Sequence, residues 1–122
     1  MGAPNLLAAK TREVRQAAGG TLAHVEADGW EGWCAGPHDL AAGEPVTVIV
    51  RPEAIQFGGR PATGITWKGT VVQRFFRGAR NVYMVEVAAH RFTVDAPPDH
   101  PRVPGSEVTL SVDAAQTWVV RD

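Results

Sequence analysis

Sixteen valines and nine threonines stand against five leucines in this chain. β-Branched side chains are stiff at χ1 and suit a pleated sheet better than a helix interior. That imbalance constrains the fold more than any single motif does. Thirteen glycines and nine prolines punctuate the sequence at short intervals, as many tight turns require. The expectation is an all-β chain, a barrel or a sandwich. Its 122 residues are the size of one domain, so 1–122 is expected to be a single region. No repeat of solenoid period and no low-complexity tract is visible.

The second half carries the clearer strand signals. Val46, Val48 and Val50 alternate with Thr47, Ile49 and Arg51, a period-2 pattern that Pro52 ends. Residues 69–76 and 82–87, joined by the turn residues 77–81, predict a hairpin, and Phe92, Thr93 and Val94 extend it to a three-strand meander. After the proline-rich loop 96–101, Val108, Leu110 and Val112 alternate with polar neighbours, and 117–120 supply a last strand across the turn 113–115. The first third supports two readings. Asn5 can cap a helix over residues 6–18 that Gly19-Gly20 would end. Gly19-Gly20 and Asp28-Gly29 are also hairpin turns flanking strands at 21–26 and 30–35.

Charge and composition exclude several functions. Twelve basic and thirteen acidic residues give a formal net charge of −1, so no global field would hold the chain on nucleic acid or an anionic membrane. The one cysteine, Cys34, rules out an internal disulfide and any multi-cysteine metal site. No apolar run approaches the roughly 20 residues of a membrane span, and the start lacks the basic region of a secretory signal. The cytosol is the default location. Cys34 with His38 and His24 has ligand-like spacing, but zinc needs three or four converging ligands, and a buried thiol with surface histidines is preferred. Ser106 and Ser111 lack a nucleophile elbow, and Glu26 and Asp28 flank a turn. Residues 59–64 have the glycine spacing of a phosphate loop, but Ile65 occupies the lysine position. No catalytic residue, no metal and no cofactor is expected, and neither is binding or hydrolysis of Mg-ATP.

A series of short segments is decisive for the first third. Val-Ile-Val-Arg-Pro-Glu-Ala-Ile at 48–55 is followed by Gly69-Thr70-Val71-Val72, by Phe76-Arg77-Gly78-Ala79, and by Gly105-Ser106-Glu107-Val108-Thr109-Leu110 with Asp113 and Trp118. In this order they resemble the transport-associated OB module, TOBE. Upstream, residues 2–7 are similar to the Gly-x-x-Asn-x-Leu that opens the region in importer ATPases. The resemblance implies an OB-like small β-barrel with a strand-rich N-terminal extension. It also implies the C-terminal regulatory region of a bacterial ABC importer ATPase, with its ATPase domain absent from this chain. The partners would then be that ATPase domain, a homodimer partner, the importer's membrane subunits indirectly, and a small ligand or regulatory protein. The location would be the inner face of the cell membrane. Two alternatives from other classes are a free-standing TOBE protein for a small ligand or oxyanion, and an OB-fold nucleic-acid binder.

The candidate ligand or partner residues are Trp67, Lys68, Arg74, Phe75, Phe76, Arg77, Arg80 and Asn81, because residues 67–80 hold four cations and no acid. Basic and aromatic residues together suit nucleic acid on an OB barrel, but the net charge favours a solvated or partner-facing surface, and nucleic acid is not the expected partner. Gly78-Ala79-Arg80-Asn81 resembles the Ser-Ala-Arg-Asn of small molybdate-binding relatives, without its serine and in the middle of the chain. Phe75 and Phe76 should point to opposite faces, one of them exposed and able to anchor a dimer. Trp30 and Trp33 should likewise face opposite ways, and Arg51 and Glu53 are expected to pair at the barrel rim.

Overall fold

The computed structural model describes residues 3–99 and 101–122. Met1, Gly2 and His100 lie outside the described residues, and with them the first position of the 2–7 segment and one position of the loop 96–101. The elements are β1 (Asn5–Ala17), β2 (Gly20–Ala27), β3 (Trp30–Gly36), β4 (Pro45–Val50), a 3-10 turn at Pro52–Ala54, and β5 (Gln56–Phe57). Then come β6 (Gly64–Arg77), β7 (Arg80–Val87), β8 (His90–Ala96), β9 (Glu107–Asp113), a second 3-10 turn at Ala114–Gln116, and β10 (Thr117–Arg121). The chain is all-β and OB-like.

Residues 6–18 are extended, despite their helical propensity. β1 has a strand on each side, pairing with β4 along Asn5 to Lys10 and with β2 along Lys10 to Ala17. Leu7 and Thr11 are buried while Leu6, Ala8 and Lys10 face out, the period-2 pattern of a half-buried strand. Tertiary pairing overrides local propensity here.

The same order of elements occurs twice. Four strands, a 3-10 turn and a fifth strand run from β1 to β5, and again from β6 to β10. The first three strands correspond at a constant offset of 60. β1 is bulged between Thr11 and Glu13, and β6 between Val71 and Gln73. The Thr11 N–H donates to Glu44 O at 2.9 Å and the Gly43 N–H to Thr11 O at 2.7 Å. Val71 repeats both bonds with Ser106 and Gly105 at 2.9 and 2.7 Å. Gly43 and Gly105 both have positive φ, +87° and +93°, which glycine tolerates best. A bulge bends a strand and strengthens its twist, and at each bulge the long strand changes partner.

Each half forms a five-stranded curl, ordered β10-β4-β1-β2-β3 and β5-β9-β6-β7-β8. The fifth strand is exchanged. β10 from the second half pairs with β4, and β5 from the first half pairs with β9. The Ala35 N–H donates to Thr117 Oγ1 at 3.1 Å, tying β3 to β10 in the first curl. The halves meet where Gly32 on β3 pairs with Ile65 on β6 and where Asn5 contacts Thr93. One core runs through both, with Trp67 edge-on to Trp30 and to Phe92 at centroid distances of 5.8 and 5.0 Å. Side chains buried like these each stabilise the fold by about 1.5–3 kcal/mol.

Two local expectations change. Arg51 and Glu53 form no ion pair among the described residues, because Pro52 starts a 3-10 turn instead of simply ending a strand. Phe75 and Phe76 are both exposed, 45% and 71%. Beyond its bulge β6 pairs with β7 alone, so this end of β6 is an edge strand, an exposed arm whose Phe75 and Phe76 both face solvent. Trp30 is buried, and Trp33 on the opposite face is half-buried under Arg15, whose guanidinium lies 4.6 Å from the ring centroid.

Candidate functional site

The eight candidate residues are divided among three environments. Trp67 is a core residue, 1% exposed, and its Nε1 has no partner among the described residues. Asn81 is also buried, where β7 lies between β6 and β8, and its Oδ1 is unpartnered among the described residues. Arg74, Phe75, Phe76 and Arg77 lie on the exposed arm. Arg80, across the hairpin turn from Arg77, is engaged by Asp95 and donates through Nη2 to Asp95 O at 3.1 Å. Lys68 points outward from the other end of β6.

Lys68 leads to a site that the sequence did not single out. On the outer face of β6 and β9, Thr66 stands opposite Ser111 and Lys68 opposite Thr109. Ser111 donates its hydroxyl to Gly58 O, and the Gly58 N–H donates to Thr109 O at 2.7 Å. These bonds hold the loop after β5 against β9. Gly58 and Gly59 both have positive φ, and the chain turns there to set Arg60 beside the same face. The result is an open hollow of about 700 Å³ shared by Arg60, Lys68, Thr66 and Thr109, with no Asp or Glu in its lining. Neither cation has an ion-pair partner among the described residues. Lys68 also borders a second hollow that contains Glu86 and Glu107, so only the Arg60 side is free of acids. Two unpaired cations and two hydroxyls can neutralise and orient a small anion.

The corresponding face of the first half is different. Leu6, Ile49 and Trp118 form one row across β1, β4 and β10, where the second half has Thr66, Ser111 and Gln56. Ala8 replaces Lys68, and the face is apolar. A smaller hollow of about 370 Å³ between the two 3-10 turns mixes Arg60 with Glu53 and Asp113, and has no single charge preference.

Cys34 is fully buried, and burial pushes its thiol up to about 12 against a weaker opposing hydrogen bond with Thr117. It is a core side chain. His38 is exposed and His24 packs edge-on to Trp33 at 5.0 Å. No group of three or more metal-ligating side chains converges among the described residues. No helix among them is long and apolar enough to cross a membrane.

Arg60, Thr66 and Thr109 were missed because each is unremarkable alone. Alternation in 64–70 and 107–113 places Thr66, Lys68 and Thr109 on outward faces, but only the register of β6 with β9 brings them together.

Comparison with known proteins places this architecture. The chain is similar to the cytoplasmic molybdate-binding protein ModG, in its crystal form with molybdate bound, with a TM-score of 0.88 and 14% identity, over 100% of this chain and 99% of that one. No curated protein matches it in sequence. The comparison corrects the expectation of a C-terminal regulatory region of an ABC importer ATPase. The chain matches, almost end to end, a protein described as a molybdate binder, and nothing found supports an ATPase parent, importer subunits as partners or placement at the membrane face. The TOBE domain family model matches residues 48–120, a span that runs from the middle of β4 through β10. The chain belongs to the TOBE domain family.

Proposed function

We propose that this protein binds a small oxyanion and does no chemistry on it, with the hollow between Arg60 and Lys68 as its site. The observation that carries this reading is the pairing of two cations without ion partners with the Thr66 and Thr109 hydroxyls, where no carboxylate lines the wall. A tetrahedral oxyanion takes charge-assisted hydrogen bonds from the guanidinium and ammonium and neutral ones from the hydroxyls. The likeness to a molybdate-binding protein supports the ligand class, and a cytoplasmic location belongs to the same reading.

Calorimetric titration with molybdate, tungstate, sulfate and phosphate tests it. Saturable binding of at least one of these, weakened about tenfold or more, roughly 1.4 kcal/mol, by Arg60→Gln and by Lys68→Gln, is the expected result. Absence of saturable binding to all four, or binding indifferent to both substitutions, would refute the site.

A further inference from the structure

The two halves share one architecture but have opposite outer faces. Across β1, β4 and β10 the outward rows are Leu6–Ile49–Trp118 and, two residues along each strand, Ala8–Thr47–Val120. Leu6 is 64% exposed and Trp118 48%. At the corresponding positions the second half carries Thr66, Ser111 and Gln56, then Lys68, Thr109 and Gly58. The fold therefore accepts polar side chains at these positions, and folding does not explain the exposed leucine and tryptophan. Contiguous apolar surface of this kind marks a contact site.

We propose that this face binds a second copy of the chain, sheet against sheet, about a two-fold axis that crosses the strands between the two rows. The rows fit themselves. Reversing the strands lays the large Leu6–Ile49–Trp118 row of one copy over the small Ala8–Thr47–Val120 row of the other, and the reverse, as an isologous contact requires. The ends fit as well. Arg51 follows Val50 beyond the large row, and Asp122 follows Arg121 beyond the small one. Strand reversal brings Arg51 of each copy over the Asp122 end of its mate. Among the described residues Arg51 has no ion-pair partner and Asp122 has none either, its carboxylate accepting the Thr47 hydroxyl at 2.6 Å. Facing sheets pack about 10 Å apart, a gap that an arginine can bridge. The large row ends in a tryptophan on β10, a residue type enriched among those that carry interface energy. This inference is independent of the oxyanion site, which lies on the other half.

Sedimentation velocity up to high micromolar concentration tests it, with circular dichroism and thermal unfolding as folding controls. The wild type should approach a dimer as its limiting mass, and Trp118→Ser and Leu6→Ser should each raise the dissociation constant about tenfold or more. Both residues are exposed, and Leu6→Ser stands in if Trp118→Ser fails the folding control. Arg51→Glu and Asp122→Lys should each weaken association, and the double variant should restore it. A monomeric wild type, a limiting mass above the dimer, association indifferent to both serine variants, or a double variant no better than the singles would each overturn the proposal. Association lost instead in Phe76→Ser would assign the contact to the exposed arm, and would overturn it too.

Discussion

Asn5 stands in for a strand neighbour of Thr93. Its side-chain amide donates to Thr93 O at 2.9 Å and accepts from the Thr93 N–H at 2.8 Å, across 88 residues of sequence. At the corresponding seam, Gly32 and Ile65 make backbone contact. One seam is closed by a side chain, the other by the main chain. Asn5→Ala leaves both backbone groups of Thr93 without these partners, and should cost about 1–3 kcal/mol. Urea unfolding monitored by tryptophan fluorescence checks this, and an unchanged midpoint would refute it.

The Gly32 seam has no room for a side chain. A Cβ there would lie 2.6 Å from Ile65 Cγ1 and 2.7 Å from the carbonyl oxygen of Gly64. Gly32→Ala must therefore separate the halves or distort β3, at a cost of about 1–3 kcal/mol. Gly19→Ala, in a turn with open space around it, is the control. Equal melting temperatures for the two variants would contradict this account.

Cys34 should resist alkylation in the native protein at pH 8 and react once the chain is unfolded, since burial holds the thiol protonated. The same shift makes stability depend on pH. The thiol is raised from 9.0 to about 12 on folding, so its contribution is complete below pH 9 and declines from there to about pH 12. The slope is roughly 1.4 kcal/mol per pH unit where the unfolded state alone is ionised. Between pH 9 and 11 the wild type should lose stability faster than Cys34→Ala. Parallel curves would count against it.

Two aromatics at opposite ends of β6 should behave oppositely. Trp67→Ala removes a ring held between Trp30 and Phe92 and should cost about 3–5 kcal/mol. Phe76→Ser, on the exposed arm, should stay within about 0.5 kcal/mol of the wild type. Denaturant midpoints of the two variants decide this.

The strand content was legible in the sequence wherever valine alternation was strong, as at Val46 to Val50, and where glycine or proline bounded a run. It was ambiguous over residues 6–18, because alanine, leucine, arginine and glutamate favour a helix locally and only pairing with β2 and β4 makes them a strand. β5 was missed, since two residues beside a glycine-rich loop carry no periodicity. The duplication was hidden as well: between 5–36 and 65–96, only Val25 with Val85 and Glu26 with Glu86 are identical. What recurs is backbone geometry, which many side chains satisfy. The cation cluster at 67–80 was visible as composition, yet the strand sends Lys68 to one end and Arg74 and Arg77 to the other. The hollow combines Lys68 with Arg60, and that juxtaposition depends on register.

The strand exchange also decides when this chain can fold during synthesis. Residues 117–121 complete the first curl, yet the ribosome makes them after every other strand of either half. Until they emerge, β4 has an open edge and the valines at 46, 48 and 50 lack their final cover. A nascent chain must carry that unfinished sheet through the synthesis of roughly seventy residues, several seconds at ordinary elongation rates. Open edges are sites of misassociation. The second curl has all its strands once β9 is made, so the half made first is the one finished last, by a strand that follows the whole of the second curl.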